Sequence, residues 1–169
     1  MEEINKSAIR ELLNNTPNIA QNGALIARLQ GLLQAKRVLR DPFSYVISFA
    51  TIAAAANSTE TVNIQADSDF QIQAQNYMVD IAAAIQTDSS RVIPIATVLM
   101  TDTGSGRQLM DNEQPLSSIF GTGMEPYVLP QPKLMSARSS LSVKVTNTSA
   151  STTYTSLKLS FIGVKLFTL

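Results

Sequence analysis

Apolar residues along this chain recur with two different periods. From Glu2 to about Arg40 they fall at helical spacing: Ile4, Ala8, Ile9, Leu12 and Leu13 make one stripe, and Leu25, Leu29, Leu32, Leu33 and Leu39, with Lys36 on the same face, make a second. Asn14-Asn15-Thr16-Pro17-Asn18 separates the stripes, because Asn favours helix ends and Pro disfavours the helical region in the residue before it. The second stripe carries Arg28, Lys36, Arg37 and Arg40, cations gathered toward the helix C-terminus, where they complement the dipole. Asp41-Pro42 then stops it. The pattern predicts an N-terminal arm of one or two helices over residues 1–42.

After Pro42 the period becomes two. Tyr45, Ile47 and Phe49 alternate with Ser44, Val46 and Ser48, and Val62, Ile64 and Ala66 with Thr61, Asn63 and Gln65. Phe70, Ile72 and Ala74 alternate with glutamines, and Leu141, Val143 and Val145 with polar residues. Arg91–Met100 reads as a longer apolar strand in which Pro94 marks an edge or a bulge. Leu157, Leu159 and Phe161 alternate until Gly163, after which Val164 and Leu166 take the opposite parity, the phase shift expected of a β-bulge. Turn-forming clusters separate these runs, among them Asn57-Ser58-Thr59, Asp67-Ser68-Asp69, Thr103-Gly104-Ser105-Gly106 and Asn147-Thr148-Ser149. Short strands with no helix pattern between them predict a mainly β fold, a jelly-roll-like antiparallel β-sandwich over residues 43–169.

Residues 110–135, MDNEQPLSSIFGTGMEPYVLPQPKLM, fit neither period. Four prolines and two glycines predict a long loop, and long loops in small domains are usually functional or contact-making. Leu116, Ile119, Phe120, Tyr127, Val128, Leu129 and Leu134 are too many apolar groups to leave in water. Leu116, Ile119 and Phe120 are expected to pack over one end of the sandwich, the rest partly there and partly on a partner.

Composition narrows the chemistry. Of the 169 residues none is His, Cys or Trp. Without His the commonest general base and metal ligand at neutral pH are missing; without Cys there are no disulfides, thiolates or sulfur-ligated zinc sites. A Ser-His-Asp triad cannot be built, and no lysine stands beside a nucleophile-elbow sequence. Thirteen basic and thirteen acidic residues cancel, which removes global steering toward nucleic acid or acidic membranes. The charged fraction is only 15%, against about 25% in an average domain, so Ser, Thr, Asn and Gln must supply the polar surface. No enzyme activity, cofactor, metal, small-molecule substrate, membrane or nucleic-acid partner is expected.

The remaining motifs have plain readings. Gly104-Ser105-Gly106-Arg107 resembles part of a phosphate loop, but no helix pattern or Lys-Ser/Thr follows, so a hairpin turn is expected. Asp67 with Asp69, and Asp111 with Glu113, supply two carboxylates each, short of the six or more oxygens that calcium takes. The N-terminal MEEINKSAIRELL has no basic region leading into an apolar core, and no apolar run approaches the ~20 residues of a membrane span. A chain made and used in the cytoplasm, or in something assembled there, is expected. Helices this short are marginal alone, so the arm must lie on the sandwich, on itself or on a neighbour. Candidate interface residues are Leu25, Arg28, Leu29, Leu32, Lys36 and Arg37 in the arm and Phe120, Tyr127, Leu129, Pro130 and Pro132 in the loop.

From Phe43 to Leu169 the order of features resembles small virion proteins of tailed bacteriophages. The resemblance rests on Phe70 and Ile72; on Gly106, Arg107 and Leu109; on Phe120 and Gly121; on Leu129, Pro130 and Pro132; on Asn147; and on Phe161, Gly163 and Lys165. It covers about three quarters of the chain and implies a capsid decoration (cement) protein or a related head or collar component, located in a virion assembled in the host cytoplasm. Such a protein binds a major capsid or other virion protein and forms a homo-oligomer, a trimer or dimer. The helical arm departs from the simplest decoration proteins and leaves open a connector, collar or fibre-base role. A receptor- or glycan-binding sandwich is the other alternative, though with four Tyr and no Trp there are few aromatics for sugar stacking.

Overall fold

The computed structural model describes residues 38–82 and 87–168. Their strands are β1 (Val38–Phe49), β2 (Asn57–Asn63), β3 (Asp69–Asp80), β4 (Ala96–Asp102), β5 (Arg107–Gln108), β6 (Gln114–Pro115), β7 (Tyr127–Met135), β8 (Ser140–Asn147) and β9 (Ser156–Thr168), with one helical turn, α1 (Leu116–Ile119), between β6 and β7. All strand pairs are antiparallel. One sheet has the order β1-β9-β3-β7; the other runs β2-β8-β4-β5, with β6 also on β4. Successive strands therefore alternate between sheets over most of the chain, and the two sheets share one apolar core.

The period-two reading holds where the buried face is apolar. Tyr45, Ile47 and Phe49 of β1, Leu141, Val143 and Val145 of β8, and Leu157, Leu159 and Phe161 of β9 all point into the core. Phe43, Tyr45 and Phe70 meet edge-to-face, with centroids 4.9 Å apart for Phe43–Tyr45 and 4.8 Å for Tyr45–Phe70, a geometry that suits the ring quadrupoles. Asn147, fully buried at the end of β8, ties the loops at that end together. Its Nδ2 donates to the carbonyls of Ala53 (3.0 Å) and Thr152 (2.8 Å), and its Oδ1 accepts from the Ser149 amide at 3.0 Å. Such a side chain replaces water for backbone groups that burial would otherwise orphan.

Four expectations are corrected. First, residues 38–42 do not end a helix: they open β1, with Val38 opposite Thr168 and Pro42 opposite Val164. Among the described strands β1 pairs with β9 alone, and an edge strand is where a residue without an N–H is tolerated. The rest of the expected arm, residues 1–37, lies outside the described residues. Second, the strand expected from Arg91 starts at Ala96, after Pro94, leaving Ile93 and Ile95 exposed.

Third, the segment 110–135 is not one loop. Its second half is β7, a nine-residue edge strand containing both Pro130 and Pro132. The register explains how: Ile72 faces Lys133 and Ala74 faces Val128, so Leu129–Pro132 bulge opposite a single β3 residue and make no regular ladder there.

Fourth, the phase shift is in β3 rather than β9. Against β9, Ile72 pairs with Gly163 and Ala74 with Ile162, which makes Gln73 the extra residue. Inward positions in β3 change from Phe70 and Ile72 to Gln75 and Val79, while β9 keeps one parity through Phe161 and Gly163 to Lys165. Gly163 is needed because β3 bends toward it: an added Cβ would lie 1.9 Å from the Gln71 carbonyl oxygen.

Candidate functional site

The expected contact-making segment borders a cleft of about 370 Å³ between the open edges of the two sheets. Tyr127, Leu129, Gln131 and Lys133 form one wall from β7. Leu109, Met110, Gln114 and Ile119 form the facing wall, and Ile72, Gln75, Met100, Leu141 and Phe161 form the floor. β7 supplies alternate residues to this cleft because its inward parity, 127-129-131-133, runs straight through the proline bulge. The facing wall stands where β5 and β6 have only two residues each and the chain makes a helical turn between sheets.

Beneath the cleft the support is rigid. Phe120 is buried and meets Phe161 edge-to-face at 5.7 Å. Gln75 Nε2 donates to the Ile119 carbonyl at 2.5 Å, and the Gly121 carbonyl accepts from the Tyr77 amide at 2.8 Å. Gly121 has no room for a side chain, since an added Cβ would sit 2.0 Å from the Glu125 carbonyl oxygen. The lining thus offers apolar walls, three amides, one phenol and one cation. That set suits an apolar group held by hydrogen bonds at its rim, and it brings together no carboxylate–base pair for proton transfer.

The candidate interface residues fall into four groups. Tyr127 and Leu129 line the cleft; Pro130 and Pro132 are exposed on the opposite, outward side of β7. Phe120 is a core residue under the cleft and does not face outward. Leu25, Arg28, Leu29, Leu32, Lys36 and Arg37 lie outside the described residues. Ile72, Gln75, Met100, Leu141 and Phe161 of the floor were not anticipated, because nothing in a linear pattern says which core residues end beside a gap.

Of the carboxylates paired in the sequence, Asp67, Asp69 and Glu113 have structural partners. Asp67 meets Lys165 Nζ at 3.2 Å, and Lys165, 6% exposed, also donates to Gln65 Oε1 and lies 4.4 Å from the Phe43 ring centroid. Burial works to raise the Asp67 carboxyl, but hydrogen bonds from Lys165 and Ser68, with the lysine's charge, leave it below its ordinary value. Glu113 is also held low, by hydrogen bonds from Thr97 and Lys144 that outweigh desolvation, with further help from the Lys144 charge and Thr146. Asp69 accepts from the Ala137 amide at 2.8 Å. Among the described residues there is no group of three or more His, Cys, Asp and Glu side chains placed to hold a metal ion. Gly104–Gly106 forms the β4–β5 hairpin turn, with Asp102 opposite Arg107 and Gly106 at φ +65°.

No protein-family model matches the chain, and no curated protein matches it in sequence. Among solved structures it is similar to dimeric latent PorU from Porphyromonas gingivalis, with a TM-score of 0.34 and 7% identity over 80% of this chain and 14% of that one. It is also similar to the VP2 subviral particle of infectious bursal disease virus, with a TM-score of 0.27 and 11% identity over 80% of this chain and 38% of that one. The chain thus spans less than two fifths of the length of either.

Proposed function

We propose that the chain is a non-catalytic structural protein of a virus particle, a jelly-roll β-sandwich that decorates or cements a tailed-phage capsid by bridging neighbouring subunits. The observation behind this reading is the strand order. The orders β1-β9-β3-β7 and β2-β8-β4-β5 are those of an eight-stranded roll in which two antiparallel sheets exchange strands, an architecture used by capsid and lectin domains. The resemblance of Phe43–Leu169 to small phage virion proteins favours the capsid over the lectin. So does the cleft, which offers one tyrosine and no other exposed ring for sugar stacking.

In this reading the β7 edge and the cleft beside it take the capsid subunit. Tyr127 and Leu129 supply the apolar contact, Pro130 and Pro132 stiffen the strand that presents it, and the sandwich holds these elements rigid. Symmetry multiplies the weak individual contacts. A collar, connector or fibre-base position uses the same elements at lower copy.

The test is quantitative mass spectrometry of particles purified from cells that carry this gene, with and without the gene disrupted. High copy per particle, and shells that come apart at lower temperature when the protein is missing, are expected. About a dozen copies per particle places the protein at the collar, on the argument from symmetry. Its absence from purified particles overturns the reading.

A further inference from the structure

The two sheets present outer faces of opposite character. On the sheet containing β8, the rows across strands read Asn57–Thr146–Thr97, Thr59–Lys144–Leu99 and Thr61–Ser142–Thr101. Hydroxyls and amides dominate, and Glu113 pairs with Lys144 at 2.9 Å. This is a solvated surface.

On the sheet containing β9 the central rows read Pro42–Val164–Gln71–Leu134 and Ser44–Ile162–Ala74–Val128. Val46 adds to the patch from β1, and Val46, Val128 and Leu134 are each at least half exposed. The central rows contain no charge. Arg40 and Asp69, of opposite sign, flank Leu166 at one end, and Lys158 lies at the other. No described strand or helix lies over this face. Monomeric proteins seldom leave a contiguous apolar sheet face in water, and depletion of charge is the mark of an interface centre.

We infer that this face binds the same face of a second copy of the chain, sheet on sheet, around a two-fold axis lying in the interface between β9 and β3. The pattern is self-complementary about that line. The rotation sets Ile162 over the partner's Ala74 and Val128 over the partner's Ser44, a large group over a small one in each case. Leu134 falls over the partner's Pro42, and Arg40 comes within one strand spacing of the partner's Asp69, so the opposite charges at that end attract across the interface. Four strands at ~4.8 Å spacing and about eight residues at ~3.3 Å rise give a projected face of roughly 500 Å² per copy. That is at the small end of specific interfaces and corresponds to a reversible dimer. The inference does not depend on the capsid reading: it uses the outer face of the β9 sheet and not the cleft, although β7 borders both.

The experiment is sedimentation of the full chain between about 1 and 100 µM, the range where a small interface titrates. A dimer in reversible equilibrium with monomer is expected. Ile162→Lys, which places a cation at the centre of the patch, raises the dissociation constant at least ~100-fold, while Thr61→Lys on the other sheet leaves it unchanged. Ile162 points away from the core, and an unchanged circular dichroism melting curve confirms that the variant folds.

A second readout needs no charge insertion. The chain lacks cysteine, so Ser160→Cys gives a unique spin-label site on the apolar face, where sheets ~10 Å apart bring the two labels within about 20 Å; Thr61→Cys gives no short distance. A monomer at the highest concentration overturns the inference. So does a dimer indifferent to Ile162→Lys, or one without the short Ser160→Cys distance.

Discussion

Gly163 and Lys165 sit two residues apart on the inward side of β9, and each marks a place where the core departs from plain apolar packing. At Gly163 the Gln71 carbonyl occupies the space a Cβ would take, 1.9 Å from it. Relief requires moving backbone in both β3 and β9, so Gly163→Ala is expected to destabilise by about 2–4 kcal/mol, read as a lower urea midpoint at unchanged m-value. Lys165 puts an ammonium group where the parity asks for an apolar side chain, and Gln65, Asp67 and the Phe43 ring compensate it. Removing the charge and removing its partner then differ in outcome. Lys165→Met keeps the stem packed and leaves only the half-exposed Asp67 without its cation, so stability should change by less than ~1 kcal/mol. Asp67→Asn leaves the buried ammonium without a counter-charge and should lower the melting temperature more than Lys165→Met does. Equal effects would mean that the ring and Gln65 suffice.

At the scale of elements, Glu113 joins three strands: it precedes β6, accepts from Thr97 of β4, and meets Lys144 and Thr146 of β8. Its carboxyl is held below the ordinary 4.5, so its contribution is complete above that value and is lost as the pH falls through the lower folded value. Asp67 adds the same sign from its ordinary 3.8 downward. Melting temperatures are therefore expected to stay level from pH 7 to about 5 and then fall, with a shallower fall in Glu113→Gln. For a pair this open to solvent the difference is at most ~1 kcal/mol. Identical acid limbs for the two proteins would show that the contacts add nothing.

The same element scale shows what the sequence could and could not reveal. Strands with apolar inward residues, as in β1 from Tyr45, in β8 and in β9 to Phe161, were legible from alternation. Both errors of phase arose from a polar residue turned inward. Gln75 is buried against the Ile119 carbonyl and hides the shift in β3. Lys165 is buried beside Asp67 and imitates a shift in β9. A bulge is a relation between two strands and leaves no mark when the residue that takes the inward place is polar. β7 and the start of β1 were hidden by prolines that only an edge position allows, and edge status is a property of the finished sheet. Of the candidate site, Tyr127 and Leu129 were anticipated, whereas the floor depends on which strand ends meet.

For the molecule as a whole, the core of residues 38–168 draws on both sheets and on α1. A chain beginning at Val38 is therefore expected to unfold in one cooperative step, with tyrosine fluorescence and circular dichroism tracing the same urea curve. Separate curves for the two probes would show that the sheets do not share stability.

The strand order also sets a timetable for synthesis. β9 emerges last of the described strands, yet it lies in the middle of its sheet, between β1 and β3. Phe49 waits for Leu157, and Val38 waits for Thr168, more than 100 residues further along in each case. At ribosomal rates of ~5–20 residues per second the wait is roughly 5–25 seconds. During that interval Tyr45, Ile47 and Phe49 belong to a strand whose described partner has not yet been made, so the nascent chain is most open to chaperones, and to misassociation on crowded polysomes, until β9 emerges.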